Sequence, residues 1–180
     1  MIQIKVEKKQ AEPKVKPQPK PTAEDEKNIA VTTKAVYEKL AEIKTKAPDF
    51  SGVQFLNGAT QAYEMVMQNF KAGNTLPLKE LLSAPIYKAF EQDIKDRKTA
   101  TKIQDSVLVS ILSQKIADAT ITNNHLKLAV DFLTEQIHVT RNKEGKIVGG
   151  NAHEMVEVKD RWWFEKNLQS NNPNWVITTI

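Results

Sequence analysis

The sequence predicts an α+β fold in which helices pack on a curved antiparallel sheet, and two observations lead to it. Up to about residue 100, apolar residues recur at the three- and four-residue spacings of amphipathic helices. Beyond about Gln104, they alternate with polar residues at the two-residue period of half-buried strands. Helices followed by a run of antiparallel strands are typical of α+β domains. With a bulged, bent sheet whose concave side holds the helices, the expected arrangement is cone-like.

Residues 1–23 are predicted to be a basic, proline-rich linker. Four of the eight prolines fall within it, and proline removes backbone donors and fixes φ, which favours an extended, solvated segment. Residues 1–20 contain six lysines and two glutamates, which account for the whole net charge of +4 of the chain. The six lysines are Lys5, Lys8, Lys9, Lys14, Lys16 and Lys20. The segment is therefore either an inert spacer or a basic arm for an anionic partner.

Residues 24–47 are predicted to form one amphipathic helix. Three acidic residues at 24–26 suit its positive end, and Pro48 ends it. Its apolar stripe consists of Ile29, Val36, Leu40 and Ile43. This stripe either docks on the following domain, residues 48–180, or lies on a membrane surface.

Three further helices are expected before the sheet. The first covers about residues 50–71 and ends at Gly73, a short one follows at 77–82, and the last begins after Ser83, with Pro85 in its first turn. Their apolar faces predict a helical layer that packs against the strands.

The first two strands are predicted from their alternation. Val107, Val109 and Ile111 are expected to share the buried face of the first strand. In the second strand, the buried positions are even-numbered up to Phe132 and odd-numbered from Ile137, so we expect a one-residue bulge around residues 134–136.

A hairpin turn at residues 142–145 follows, and two more strands are expected at 155–168 and 175–180. Alternation on the third strand turns Trp162 and Phe164 inward and Trp163 towards the more polar face, as a candidate surface contact. The predicted core and pocket residues are Phe55, Tyr63, Phe132, Trp162, Phe164 and Trp175.

Several kinds of chemistry are excluded or disfavoured by the sequence. The chain has no cysteine, so it forms no disulfide and has no zinc–thiolate site or cysteine nucleophile. No nucleophile elbow, metal-ligand spacing or phosphate loop is present. The alternatives are a small-ligand-binding protein of the same cone-like fold and an acid–base enzyme that uses Asp131 and His138. These two residues are seven positions apart and fall on opposite faces of a regular strand, which argues against the enzyme. We predict no enzymatic activity, no metal and no cofactor.

The segment FLNGATQAYEMVMQNFKAGNTLPLKELLSAPIYKAFEQDIKDR, residues 55–97, resembles the C-terminal domain of the mitochondrial presequence-translocase motor tether, a forty-four-kilodalton inner-membrane translocase subunit, and its bacterial relatives more closely still. The patterns D-x-W-x-F-x-K at residues 160–166 and S-x-x-P-x-W at 170–175 support the resemblance, which covers about residues 50–178. Lys166 and Trp163 depart from it, since the family usually has an arginine and a small polar residue there.

The resemblance implies a cone-like fold similar to nuclear transport factor 2, with an apolar pocket in the curved sheet and no enzymatic activity. It also implies a peripheral location at an inner membrane, contact with anionic lipid through an N-terminal amphipathic region, and a protein partner of unknown identity. Residues 1–23 look like the linker that follows a membrane anchor in bacterial relatives, so the protein is anchored if such a segment lies upstream. A charge-balanced body argues against an extended RNA footprint, and we predict no DNA partner.

Overall fold

The computed structural model describes residues 21–27, 29–172 and 174–180, with the side chain of Glu26 left out. The lysine-bearing residues 1–20 lie outside the described residues. The helices are α1 (Ala23–Lys27), α2 (Lys34–Lys46), α3 (Gly52–Ala72), α4 (Leu78–Leu81) and α5 (Ala84–Thr99). The strands are β1 (Lys102–Thr122), β2 (His125–Asn142), β3 (Ile147–Gly150), β4 (Val156–Asn167) and β5 (Val176–Thr179).

The five strands form one antiparallel sheet in the order β1-β2-β4-β5, and β3 pairs with the end of β2 that β4 does not reach. Helices α2 and α3 pack on β1. The hairpin turn predicted at residues 142–145 is present, with the N–H of Gly145 donating to the carbonyl of Asn142 at 2.9 Å and Gly145 at φ +77°. The curved α+β fold predicted from the sequence is confirmed.

The position of the bulges is the main correction to the predicted strands. The β1–β2 register slips at Val109, Leu112 and Ala117, all of them in β1, whereas β2 pairs without interruption. The bulge predicted at residues 134–136 of β2 is therefore wrong. Thr134 and Gln136 instead continue the inward face of β2 as buried polar residues. The apolar pattern of the sequence did not predict polar side chains at buried positions.

The bulge in β1 also overturns the predicted face of Val109. The extra residue at that point shifts the inward positions, so that Leu108 and Ile111 pack against the core, while Val109 is 46 % exposed and the partly buried Val107 does not join the core cluster.

The single helix predicted at residues 24–47 is likewise wrong, because two helices are separated by a short extended segment. The N–H of Thr32 donates to the carbonyl of Ile116, and the N–H of Ile116 donates to the carbonyl of Ala30, both at 2.9 Å. The β-branched residues before Thr33 favour this extended backbone, and the Thr33 hydroxyl then accepts the N–H of Val36 to begin α2.

The apolar stripe of α2 docks on the domain. Val36, Leu40 and Ile43 are buried in the core, and Ile29 is partly buried against it. The Lys39 ammonium forms an ion pair with the Asp118 carboxylate at 2.6 Å, which also connects α2 to β1. Of the two alternatives left open by the sequence, docking therefore describes this structure, and the stripe is not available to a membrane while it is docked.

Two helix N-termini allow a matched test of capping. Both α3 and α5 follow a serine, but only Ser51 accepts the first-turn N–H, from Gln54 at 3.1 Å, while the Ser83 side chain makes no capping bond. We expect Ser51→Ala to lower the free energy of unfolding by about 1 kcal/mol, and Ser83→Ala to change it by only a few tenths. Urea unfolding of both variants checks this, and equal losses would contradict the capping assignment.

The core lies between α3 and the inner face of the sheet. The ring of Tyr63 lies 4.6 Å from that of Phe132 and 4.5 Å from that of Trp162, measured between centroids. Phe55 meets Phe164 edge-on at 5.5 Å. Among the described helices, none is both long and apolar enough to cross a bilayer.

Candidate functional site

A groove of about 650 Å³ lies at one end of the helical layer. It lies between the α2–α3 connection and the loop that joins β4 to β5. We call it the aromatic groove; its lining includes Lys46, Phe50, Gln54, Phe55, Leu126, Lys166, Leu168, Asn171, Asn172 and Trp175.

The floor of the aromatic groove is held by ring contacts. Trp175, which directly precedes β5, lies 4.6 Å from Phe55 and 6.4 Å from Phe50 between ring centroids. Phe55 is in turn fixed by its edge-on contact with Phe164 in the core. The floor is therefore built on α3 and the sheet, which makes it a rigid apolar surface.

The rim of the aromatic groove is polar and carries two lysines. The Lys46 ammonium donates to Glu42 at 2.7 Å within α2, and this bond lowers the pKa of the Glu42 carboxyl. Lys166 is half-buried and makes no ion pair with any described residue. With the amides of Asn171 and Asn172 beside it, the rim offers hydrogen-bond donors above an apolar floor. That combination suits an amphiphile with a polar or anionic head.

The six predicted core and pocket residues divide into two groups. Phe55 and Trp175 line the aromatic groove, as a pocket assignment requires. Tyr63, Phe132, Trp162 and Phe164 are buried in the core, and none of the four lines the aromatic groove. The core assignment holds for these four, while the pocket lies further along the helical layer.

A buried polar network centred on Tyr63 was not predicted. The Tyr63 hydroxyl donates to the Asp160 carboxylate at 2.6 Å and accepts the Gln136 amide at 3.1 Å. The same amide donates to the Thr134 hydroxyl at 3.0 Å. Burial of the hydroxyl, and after it the bond to Asp160, raises the pKa of Tyr63 well above its ordinary value. The sequence feature that could have indicated this network is the pair of polar residues, Thr134 and Gln136, at even-numbered positions that continue the apolar face of β2.

The acid–base pair considered from the sequence is not assembled. Asp131 is held by the Arg161 guanidinium at 2.5 and 2.8 Å, and His138 contacts the Gln136 amide oxygen at 3.1 Å. Asp131 and His138 are seven positions apart on β2, which corresponds to about 23 Å at the usual rise of a strand. Among the described residues, no three side chains of the metal-binding types cluster together.

Trp163 lies on the sheet face opposite to the core, as predicted. Its ring is half-buried, and the Lys127 ammonium lies 5.1 Å from the ring centroid in a cation–π contact. Its role as a surface contact for a partner stays a prediction.

The described chain begins beside the aromatic groove. Residues 21–23 line a second hollow of about 500 Å³ together with Lys44 and residues of the α2–α3 connection. Phe50, Ser51 and Gln54 line both hollows. The lysine-bearing residues 1–20 therefore join the domain next to the rim of the groove.

Comparison with known proteins identifies the family to which the chain belongs. The model of the Tim44-like domain matches residues 36–180. No curated protein matches the sequence significantly. Among solved structures, the intermembrane space region of the chloroplast protein ARC6 is similar at 11 % identity with a TM-score of 0.48, over 73 % of this chain and 95 % of that one. Since the family match spans most of the sequence and all five strands, the chain belongs to the Tim44-like domain family.

Proposed function

We propose that this protein is a non-catalytic, membrane-associated adaptor, related in role to protein translocation, which binds anionic lipid and a protein partner. Membership of the Tim44-like family supports a scaffold of this kind. The observation that carries the proposal is the distribution of charge. The entire excess of positive charge lies in residues 1–20, and the rest of the chain is balanced.

The lysine-bearing segment supplies the attraction to the membrane. Each lysine near an anionic leaflet contributes up to about 1 kcal/mol, and this attraction extends over a Debye length of about 8 Å at physiological salt. Six lysines opposed by two glutamates therefore give reversible binding of a few kcal/mol. With the α2 stripe docked in the core, electrostatics is the main term in this state, and the protein is peripheral on the cytoplasmic side of the inner membrane.

The aromatic groove is the second element of the proposal. Because residues 21–23 lie beside it, membrane-bound lysines hold its rim close to the headgroups. Lys166 and the neighbouring amides then face anionic lipid, with Phe55 and Trp175 below them. The groove thus adds a specific contact to a binding mode that is otherwise set by charge.

Vesicle flotation tests the membrane part. We expect the full chain to float with vesicles that contain cardiolipin, to stay at the bottom with neutral vesicles, and to be released by about 0.5 M salt, at which a Debye length of a few Å screens the lysines. Replacing the six lysines of residues 1–20 with glutamine should reduce recovery with cardiolipin vesicles by at least about tenfold, because about 1 kcal/mol is lost per lysine.

The matched control changes the same number of charges on the folded body. It replaces six exposed lysines with glutamine: Lys79, Lys88, Lys98, Lys102, Lys143 and Lys146. Recovery of this variant should stay near that of the unmodified protein. Equal recovery with neutral and cardiolipin vesicles, or equal losses in the two variants, would exclude the electrostatic mechanism.

A further inference from the structure

A separate groove of about 230 Å³ runs between α3 and β1. One side is formed by Glu64, Met67, Gln68 and Lys71 of α3, and the other by six consecutive residues of β1, 106–111. Successive strand residues point to opposite faces of a sheet, so a hollow that contacts all six borders the backbone edge of the strand. We call it the edge groove.

The backbone edge in this groove is open. β1 is the outermost strand of the sheet, and in the described chain its second backbone contact besides β2 is the bridge between Val31 and Ile116. About half of the backbone groups of residues 106–111 therefore point away from β2. Such a row of donors and acceptors favours the addition of another strand.

The same edge already binds a strand further along. Residues 30–32 run parallel to β1 and make two backbone hydrogen bonds of 2.9 Å with Ile116. Upstream of these residues the chain leaves the edge and forms α1. A segment placed in the edge groove would continue the line of residues 30–32 towards the start of β1.

The two bulges in this part of β1 restrict what can pair there. Val109 and Leu112 are each displaced from the ladder and are 46 % and 45 % exposed. Bulges interrupt the edge and so disfavour indiscriminate sheet extension. What stays open is a short stretch, with exposed aliphatic side chains that can contact those of a ligand.

The two ends of the edge groove carry opposite charges, with Lys71 at one end and Glu64 at the other. The Arg97 guanidinium donates to the carbonyl of Phe70 at 3.1 Å and to the carboxylate of Asp105 at 2.6 Å, so the end of α3 lies beside the start of β1. Lys71 is therefore near the 106 end of the groove. Glu64, seven residues earlier, lies about 10 Å away towards the 111 end, at the rise of an α-helix. Neither side chain forms an ion pair with a described residue.

We propose that the edge groove binds an extended segment of a partner protein, which adds to β1 as a parallel strand. This inference rests on the proposed adaptor function and gives it a protein-binding site. At about 3.3 Å per residue, three to four strand residues cover the distance between Lys71 and Glu64, and of these spacings only four places both ligand side chains on the face towards α3. The ligand then has an acidic residue beside Lys71, a basic residue four positions later beside Glu64, and an aliphatic residue between them against Val109.

A peptide of this pattern tests the proposal on the full chain. The probe is a fluorescein-labelled eight-residue peptide of valine and threonine with a glutamate four positions before a lysine. We expect saturable binding by fluorescence anisotropy, and slower hydrogen exchange of the backbone amides in residues 106–111. The double variant Glu64→Lys/Lys71→Glu should bind this peptide at least about tenfold more weakly, because like charges then face each other.

Rescue separates recognition from a structural effect. The double variant should bind a peptide with the glutamate and lysine exchanged about as well as the unmodified protein binds the original. The control variant Lys79→Glu/Glu80→Lys reverses two exposed charges on α4 and should leave both affinities unchanged.

Several outcomes would overturn the proposal. These are no binding, equal affinity for both charge orders, or binding that leaves exchange in residues 106–111 unchanged. Protection of these amides without peptide, lost either on dilution or on removal of residues 1–20, would assign the groove to a second copy or to the N-terminal segment of the chain itself. Vesicle flotation does not involve Glu64 or Lys71, so a failure of the membrane proposal and a failure of this one are distinguishable.

Discussion

Trp162→Ala should lower the free energy of unfolding by about 3–5 kcal/mol, the usual cost of deleting a buried aromatic side chain. Trp162 is only 2 % exposed, and its ring packs 4.5 Å from Tyr63 and 6.0 Å from Phe132 between centroids. Truncation to alanine leaves a cavity between α3 and the sheet, which the surrounding rings cannot fill because they belong to rigid elements.

Trp163→Ala is the matched control, since it removes the same side chain from the next residue of β4. Trp163 is half-buried on the opposite face, and its main contact is the Lys127 ammonium at 5.1 Å. A cation–π contact at an exposed site is worth about 0.5–1 kcal/mol, so we expect a loss of about 1–2 kcal/mol once partial packing is included. Urea unfolding measures both values. Comparable losses in the two variants would contradict the inward and outward assignment.

Tyr63→Phe should have the second largest effect. The substitution keeps the ring and removes the hydroxyl, so the Asp160 carboxylate loses its donor and the Gln136 amide loses one acceptor. Leaving a buried polar group without its partner costs about 1–3 kcal/mol, and we expect a loss in the upper part of this range. Tyr87→Phe serves as the control. Tyr87 is partly buried, and its hydroxyl makes no hydrogen bond with any described residue. It should change the free energy of unfolding by a few tenths of a kcal/mol at most.

The same network predicts a dependence on alkaline pH. The pKa of Tyr63 in the folded protein is raised above the ordinary value of 10.0, first by burial and then by the bond to Asp160. The resulting stability is fully present below about pH 10, where tyrosine is protonated in both states, and it falls at higher pH, because the unfolded chain then releases a proton that the folded protein retains.

Comparison with the Tyr63→Phe variant isolates this effect from the titration of lysines. Between about pH 10 and 11, the unmodified protein should lose up to about 1.4 kcal/mol more per pH unit than the variant, which corresponds to one proton. Parallel stability curves for the two proteins over this range would show that Tyr63 is not held neutral in the folded state.

Local patterns in the sequence were sufficient for most elements. The long α3 is specified by its apolar face, by Ser51 at its start and by Gly73 at its end, which adopts φ +69°. The opposite orientations of Trp162 and Trp163 follow from the two-residue period of a strand alone. In such cases neighbours along the chain decide the outcome, so no knowledge of distant contacts is needed.

The candidate site was predicted in part. Phe55 and Trp175 line the aromatic groove, but its lysine and amide rim is assembled from the end of α2, the end of β4 and the loop after it. The patterns at residues 160–166 and 170–175 indicated a family resemblance, but they did not mark Lys166, Asn171 or Asn172 as parts of a site. Their meeting depends on where the last strand pairs in the sheet, which apolar periodicity does not specify.

The sequence by itself determined the fold class, the concentration of positive charge in residues 1–20 and the inward faces of most elements, because each depends on composition or on residues within a few turns of one another. Only the tertiary structure decided the rest. Residues 30–32 are extended because Ile116 offers backbone partners some 85 positions away, which ends the helix that the stripe predicted. Likewise, the bulges lie in β1 and β2 stays regular. Gln136 can keep its inward position in β2 because its side-chain amide donates to the hydroxyl of Tyr63 on α3. Such contacts form only between parts of the chain that folding brings together.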